Sequence, residues 1–277
     1  MRKGDEWMKR EWQIGCALMS LPAVVLGIWA MICGGVSPVL WGQQAFAWIV
    51  LALLVWPLRR AARRISAETW SAVLLLFLAA TLLGQEAGGA RRWVDLVVFH
   101  ANAAHLVLPA LIVASSLLKQ PCPVLLSAAL VLCFQPDLSQ LAALSAAAMP
   151  ALWRRGKKQM LACGLFLCVL LIRCMNAPTT LEPAAYCEGI LTMLGDRSQL
   201  LQAAGWAALA VVPVCFAVRF CRRGETQALS LAVYYAVSLL FAFSGEYPVL
   251  LMGFGLSPIA GYFLAYALSD MTARKRV

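Results

Sequence analysis

Charge and histidine are what this sequence has least of. Charged side chains make up 13% of its 277 residues, and there are two histidines, His100 and His105. So thin a supply of ionic groups cannot coat a water-facing globule, which excludes an ordinary soluble domain. The ten cysteines include no Cys-x-x-Cys pair, and none sits at metal-ligand spacing from a histidine. No metal site and no cofactor are therefore expected, and each histidine reads as a packed side chain bonded to a backbone carbonyl. A cleavable leader is also missing: the first apolar run is about 22 residues long, lacks a small-residue cleavage site and is expected to stay in place as a membrane helix. The chain shows no internal repeat, and its one helix break at membrane depth lies near Pro136, which argues against a small-solute transporter built from matched halves.

What the chain has in abundance is apolar length. Hydrophobic residues are 62% of the total, and they gather into runs at about 13–34, 40–57, 68–83, 96–118, 122–134, 138–153, 159–174, 198–220, 227–243 and 248–268. A hydrocarbon core of about 30 Å takes roughly 20 apolar residues per helix, and backbone groups at that depth must bond internally. The expected fold is an all-α polytopic transmembrane bundle of ten spans, a single membrane domain over 1–277. In it, 1–12 is a cytoplasmic lead, either lying flat at the interface or snorkelling as a plain helix start, 175–197 an outer loop and 269–277 a cytoplasmic tail.

Basic residues set the orientation. Alternating the ten runs from a cytoplasmic N-terminus leaves 19 of the 23 Lys and Arg residues inside, and only Arg91, Arg92, Arg173 and Arg197 outside. That bias follows the positive-inside rule. The net charge of +10 is thus divided among short inner loops. A nucleic-acid surface would need it on one face with stacking aromatics between, so no nucleic-acid partner is expected. Most cysteines lie in or beside the apolar runs as small core residues. Cys174 and Cys187 instead flank the outer loop, where an oxidising compartment would permit a disulfide.

The segment Gln135-Pro136-Asp137 breaks the pattern. The fifth run, 122–134, spans only about 20 Å of the ~30 Å core at 1.5 Å per residue. Its outer end should stop below the membrane surface, leaving Asp137 buried, in a polar cavity shared with Arg91 or Arg92. A carboxylate at that depth is a candidate site residue. It is equally a helix cap, with Pro136 ending one helix, Asp137 opening the next and Gln140 placed to complete a capping box.

Three stretches carry a resemblance. "GQEAGGARRWVDL" (84–96), "QPDLSQ" (135–140) and "GEYPVLLMGFGLSPIAGYFLAYAL" (245–268) resemble, in order and spacing, motifs of the SEDS proteins, the FtsW/RodA/SpoVE group. Gly89, Ala90, Arg91, Arg92 and Trp93 fall on that family's Gly-Ala-x-Arg-Trp run. Gln135, Pro136, Asp137 and Leu138 fall on its Gln-Pro-Asp-Leu, and Pro248, Phe254, Gly255 and Ser257 on its Pro and Tyr-Gly-Gly-Ser positions. The resemblance implies a peptidoglycan glycosyltransferase that polymerises lipid II, or another undecaprenyl-linked substrate, at the outer face of a bacterial cytoplasmic membrane beside a class B penicillin-binding protein. A non-catalytic relative that binds lipid II or such a partner is the alternative.

Departures from the family pattern are specific. His100-Ala101-Asn102-Ala103 replaces the family's Gln-Pro-Ser-Glu. The outer loop after the seventh run is cut to about 23 residues. Glu188, in Tyr186-Cys187-Glu188-Gly189, falls where the family has an essential Asp, and the resemblance makes it the base that activates the acceptor hydroxyl. Arg91, Arg92, Gln135, Asp137 and Ser257 are the implied substrate-binding set, the arginines holding pyrophosphate. Without that role, Glu188 would be a surface carboxylate favoured by a helix N-terminus, and the arginines interfacial charges beside Trp93.

The distribution of basic residues generates a test. Cysteine-accessibility labelling should find 154–158 and both termini on the inner side of the membrane and 175–197 on the outer side. Labelling of 154–158 from outside would invert the topology.

Overall fold

The computed structural model describes residues 3–84, 86, 88–96, 99–177, 183–269 and 271, with only the backbone given for 3–14, 16, 95, 96, 99 and 100. The side chains of residues 1–12 and of His100, and nearly all of the 269–277 tail, lie outside the described residues. Eleven α-helices make up the described chain: α1 (Lys3–Cys33), α2 (Pro38–Ala62), α3 (Ala67–Ala80), α4 (Ala103–Ser116), α5 (Cys122–Phe134), α6 (Leu138–Trp153), α7 (Lys157–Met175), α8 (Ile190–Gly195), α9 (Gln199–Arg223), α10 (Thr226–Ala242) and α11 (Leu256–Ser269). Two short strands, β1 (Trp93–Leu96) and β2 (Phe99–Asn102), form an antiparallel hairpin between α3 and α4.

Local chemistry starts the helices where the sequence provides caps. Ser66 accepts the Thr69 amide at 3.1 Å, Asn102 the His105 amide at 3.2 Å and Asp137 the Gln140 amide at 3.3 Å. Each thereby satisfies a donor that the first helical turn leaves open. Gly224 ends α9 in a left-handed conformation, φ 63°, which a residue without a Cβ adopts at little cost.

The molecule is an all-α membrane bundle with apolar side chains on its outside. Phe46, Leu53, Leu76, Leu161, Leu165, Val169 and Leu240 are all exposed, as a surface facing hydrocarbon requires. α2, α7 and α9 are long and apolar enough to cross a membrane alone, and seven shorter apolar helices accompany them. At the centre stand α4, with twelve of its fourteen residues buried, and α11, with eleven of fourteen. Small residues let this pair meet backbone to backbone: a Cβ on Gly261 would lie 2.1 Å from the His105 carbonyl oxygen.

Two apolar runs depart from the helices expected of them. Residues 96–102 of the fourth run lie mostly in the hairpin, with Trp93 opposite Asn102 and Val94 opposite Ala101. Hydrophobicity alone does not separate a short strand from a helix. Residues 248–255 of the last run form no helix; Val249, Leu251 and Met252 are buried in an irregular loop, with Leu251 at φ 70°. This loop lies against α1, where a Cβ on Gly27 would stand 2.0 Å from the Met252 carbonyl oxygen. Gln44 of α2 donates to the same carbonyl at 3.2 Å. The region read as a plain outer loop also holds α8, whose Ile190, Leu191 and Leu194 are buried.

Gly261 and Gly164 make a matched test. Gly261→Val forces a side chain onto backbone that cannot rotate away and should cost about 1–3 kcal/mol or more. Nothing stands within 4 Å of a Cβ added at Gly164, so Gly164→Ala should leave stability unchanged or slightly raised. Thermal unfolding in detergent measures both, and equal midpoints would refute the close α4–α11 contact.

Candidate functional site

Asp137 is a buried point of polar contact at the α5–α6 break. It is 2% exposed; its Oδ1 accepts from Ser139 Oγ at 3.1 Å and from the Gln140 amide. Its Oδ2 lies 3.8 Å from Arg92 Nε, an ion pair rather than a hydrogen bond. Arg92 reaches it from the loop before β1 and also donates from Nη2 to the Pro136 carbonyl. That carbonyl ends a helix inside the bundle, so the guanidinium supplies both charge and a missing donor. His105 and Tyr234 are buried within electrostatic reach of Asp137. The expected capping box is half made: Asp137 caps α6, but Gln140 turns away and its Oε1 accepts from Tyr234 Oη at 2.6 Å, tying α6 to α10.

Gln135 and Arg91 serve elsewhere. Gln135 is fully buried, and its Nε2 donates to the Leu78 carbonyl at 3.2 Å and to Thr81 Oγ1. It thus fastens the end of α5 to the end of α3. Arg91 is half exposed, paired with Glu86 at 3.4 Å and bonded to the Leu82 carbonyl, a surface arrangement of small energetic weight. Of the two candidate arginines, Arg92 joins Asp137.

Glu188 is half-buried at the turn before α8, and its Oε2 accepts from the Ala184 amide at 2.8 Å. The turn is fastened to the buried loop ahead of α11. Phe254 donates its amide to the Tyr186 carbonyl at 2.8 Å, Val249 to the Cys187 carbonyl at 3.3 Å, and the Tyr186 and Phe254 rings meet edge to face at 6.1 Å. Gly253 is required there, since a Cβ would lie 2.2 Å from the Cys187 carbonyl oxygen. Burial, followed by the neighbouring Glu188 carboxylate, pushes the Cys187 thiol well above its ordinary range. Cys187 Sγ lies 3.4 Å from the Phe254 carbonyl oxygen, and Cys174 and Cys187 are both free thiols in this structure.

Ser257, at the start of α11, connects the two regions. Its Oγ accepts the Asn102 amide at 2.9 Å, so the segment running from the Glu188 clamp also touches the residue that caps α4 and introduces His105. Tyr247, in the same loop, lies within the fields of Arg92 and Asp137; burial, then Glu246, raises its phenol above the usual value. His105, Tyr234 and Tyr247 have no motif in the sequence; only the fold brings them together. Among the described residues no group of three or more His, Cys, Asp or Glu side chains could hold a metal ion.

The fold matches solved structures along nearly its whole length. It is similar to the Thermus thermophilus rod shape determining protein RodA, in a point variant at 18% identity and TM-score 0.61, covering 95% of this chain and 97% of that one. The same protein without that substitution gives 19% identity, TM-score 0.56 and coverages of 95% and 96%. A chain from a peptidoglycan synthase complex that coordinates polymerization and crosslinking gives 20%, 0.59, and coverages of 95% and 98%. No family model and no curated protein matches the sequence. The chain has the RodA fold, as its three motifs led one to expect of a SEDS-like protein.

The Arg92–Asp137 pair generates a thermodynamic test. Asp137→Ala removes both cap and charge, whereas Asp137→Asn keeps a capping oxygen, so the alanine variant should be the less stable by about 1 kcal/mol. A double-mutant cycle of Arg92→Ala with Asp137→Asn should show coupling above about 0.5 kcal/mol. Additive effects would mean that the two charges do not act together.

Proposed function

We propose that this chain is a SEDS-type protein of a bacterial cytoplasmic membrane that acts on lipid II, polymerising its sugars at the outer face beside a class B penicillin-binding protein. The observation that carries the reading is the whole-length likeness to RodA. A fold does not by itself specify chemistry, so the activity rests on what individual residues can do.

In this reading Glu188 takes the proton of the acceptor hydroxyl. Its Oε2 is held by the Ala184 amide, which fixes the carboxylate's direction, and Oε1 receives the proton. Arg92, supported by Asp137, and Arg91 at the surface hold the pyrophosphate leaving group, exchanging their present carbonyl and Glu86 contacts for phosphate oxygens. Ser257 accepts the Asn102 amide, which sets the position of the α4 and α11 ends, and its own O–H remains to donate to substrate.

One observation favours a second reading, a non-catalytic relative that binds lipid II or the partner enzyme. A glutamate is longer than the family's aspartate by one methylene, about 1.5 Å, against a tolerance near 0.5 Å for productive geometry. Here that length is taken up in reaching back to the loop's own amide, as a structural brace would.

Purified protein with labelled lipid II, with and without a co-expressed penicillin-binding protein, separates the two. Glu188→Gln should reduce polymer formation by at least 100-fold while leaving the melting temperature within a few degrees, since the amide keeps the shape and loses the base. Polymerisation that survives the substitution removes Glu188 from the chemistry. A wild type that binds lipid II or the partner without forming polymer establishes the non-catalytic reading.

A further inference from the structure

At the basic end of the bundle, away from Glu188 and Asp137, two thiols face each other across a helix contact. Cys122 is the first residue of α5 and Cys163 lies in the second turn of α7; their sulfurs are 3.4 Å apart. They are 7% and 6% exposed, so neither is pulled toward competing partners in solvent. α5 and α7 pack directly on one another. Arg155 donates to the Leu118 carbonyl at 2.5 Å, binding the α6–α7 turn to the segment that leads into Cys122. Nothing in the SEDS reading uses this pair.

We propose that Cys122 and Cys163 form a dithiol modification site that closes to an intramolecular disulfide when the membrane meets a peroxide-class oxidant. A disulfide needs sulfurs about 2.05 Å apart, so side-chain rotation need remove only about 1.4 Å of separation. The first thiolate attacks a peroxide oxygen and cleaves the O–O bond, giving a sulfenic acid and releasing one water once protonated. The second thiolate attacks that sulfur and displaces the second water. Two thiols lose two protons and two electrons, and hydrogen peroxide is reduced to two waters. Hydrogen peroxide is small and uncharged, and Cys122 is at a helix terminus, where it retains slight exposure. On the topology set by the basic residues this end faces the reducing cytoplasm, so the resting state is the dithiol and the bond marks oxidative exposure.

The bond would join residues 41 positions apart in sequence and close a loop that contains Gln135, Asp137 and all of α6. It would therefore fasten the start of α5 to α7, leaving the α5–α6 break itself untouched.

The test uses membranes carrying the full chain, exposed to hydrogen peroxide, quenched, denatured in detergent and tagged with maleimide-polyethylene glycol. Wild type should lose two taggable thiols, regained on reduction with dithiothreitol, while Cys122→Ser and Cys163→Ser should lose none. Mass spectrometry of proteolysed, unreduced wild type should find the fragment containing residue 122 joined to that containing 163. The joined fragment is decisive by itself should a serine variant fail to fold. The proposal is overturned by unchanged tagging of wild type, by equal losses in wild type and Cys122→Ser, or by a dimedone-trapped sulfenic acid with no joined fragment.

Discussion

Every backbone group that leaves a helix inside this bundle must find a partner in the protein, because hydrocarbon offers none. That constraint organises the candidate site. α5 is thirteen residues long, about 20 Å against a core near 30 Å, so its end and the beginning of α6 fall where no water is guaranteed. The Pro136 carbonyl takes the Arg92 guanidinium, the Gln140 amide of α6 takes Asp137, and Gln135 binds back to α3. The charged pair is thus explained first as completion of an interrupted backbone. A carboxylate and guanidinium held for that purpose stay poised and partly desolvated, which suits them to a polar headgroup as well.

The same constraint accounts for the irregular segment before α11. Buried loop backbone is tolerated only where protein encloses it, and here α1, α2 and the Glu188 turn do so. Gly27 and Gly253 admit main chain within distances that no side chain would allow, and Gln44 and Phe254 complete the hydrogen bonds. The Glu188 turn therefore has its position fixed by backbone bonds to the 249–254 loop. Its shortness, beside the longer loop of the SEDS pattern, is offset by the buried side of α8, which anchors the turn with Ile190, Leu191 and Leu194.

Much of the fold could be read from the sequence because membrane helices are written in length and hydrophobicity. α5 and α6 begin and end where the apolar runs do, at 122–134 and 138–153. The burial of Asp137 followed from the shortness of one run. What could not be read is what apolar composition leaves undecided. The hairpin at 93–102 and the loop at 248–255 are as apolar as helices, and only pairing and enclosure choose their conformation. Gln140 illustrates the limit at single-residue scale: its spacing from Asp137 fits a capping box, yet Tyr234, nearly a hundred positions away in sequence, claims its side chain. Likewise Arg91 and Arg92 are equivalent by composition, and burial alone separates them, with side-chain exposures of 47% and 12%.

Fold and chemistry separate at Glu188. In this chain the turn is docked against the loop before α11 by the backbone of Tyr186 and Cys187 and by Gly253, none of which involves a carboxylate. The acid at 188 is thus not demanded by the packing; the bond it accepts from the Ala184 amide a glutamine oxygen could also accept. Glu188 is half-buried next to the Cys187 thiol, a setting that suits either a brace or the proposed base. The added methylene weighs against the base only if the acceptor hydroxyl is held where a shorter aspartate would need it. Under the proposed function, a turn anchored by α8 would also set where the acceptor sits, so the longer side chain and the shorter loop would act as one compensated change.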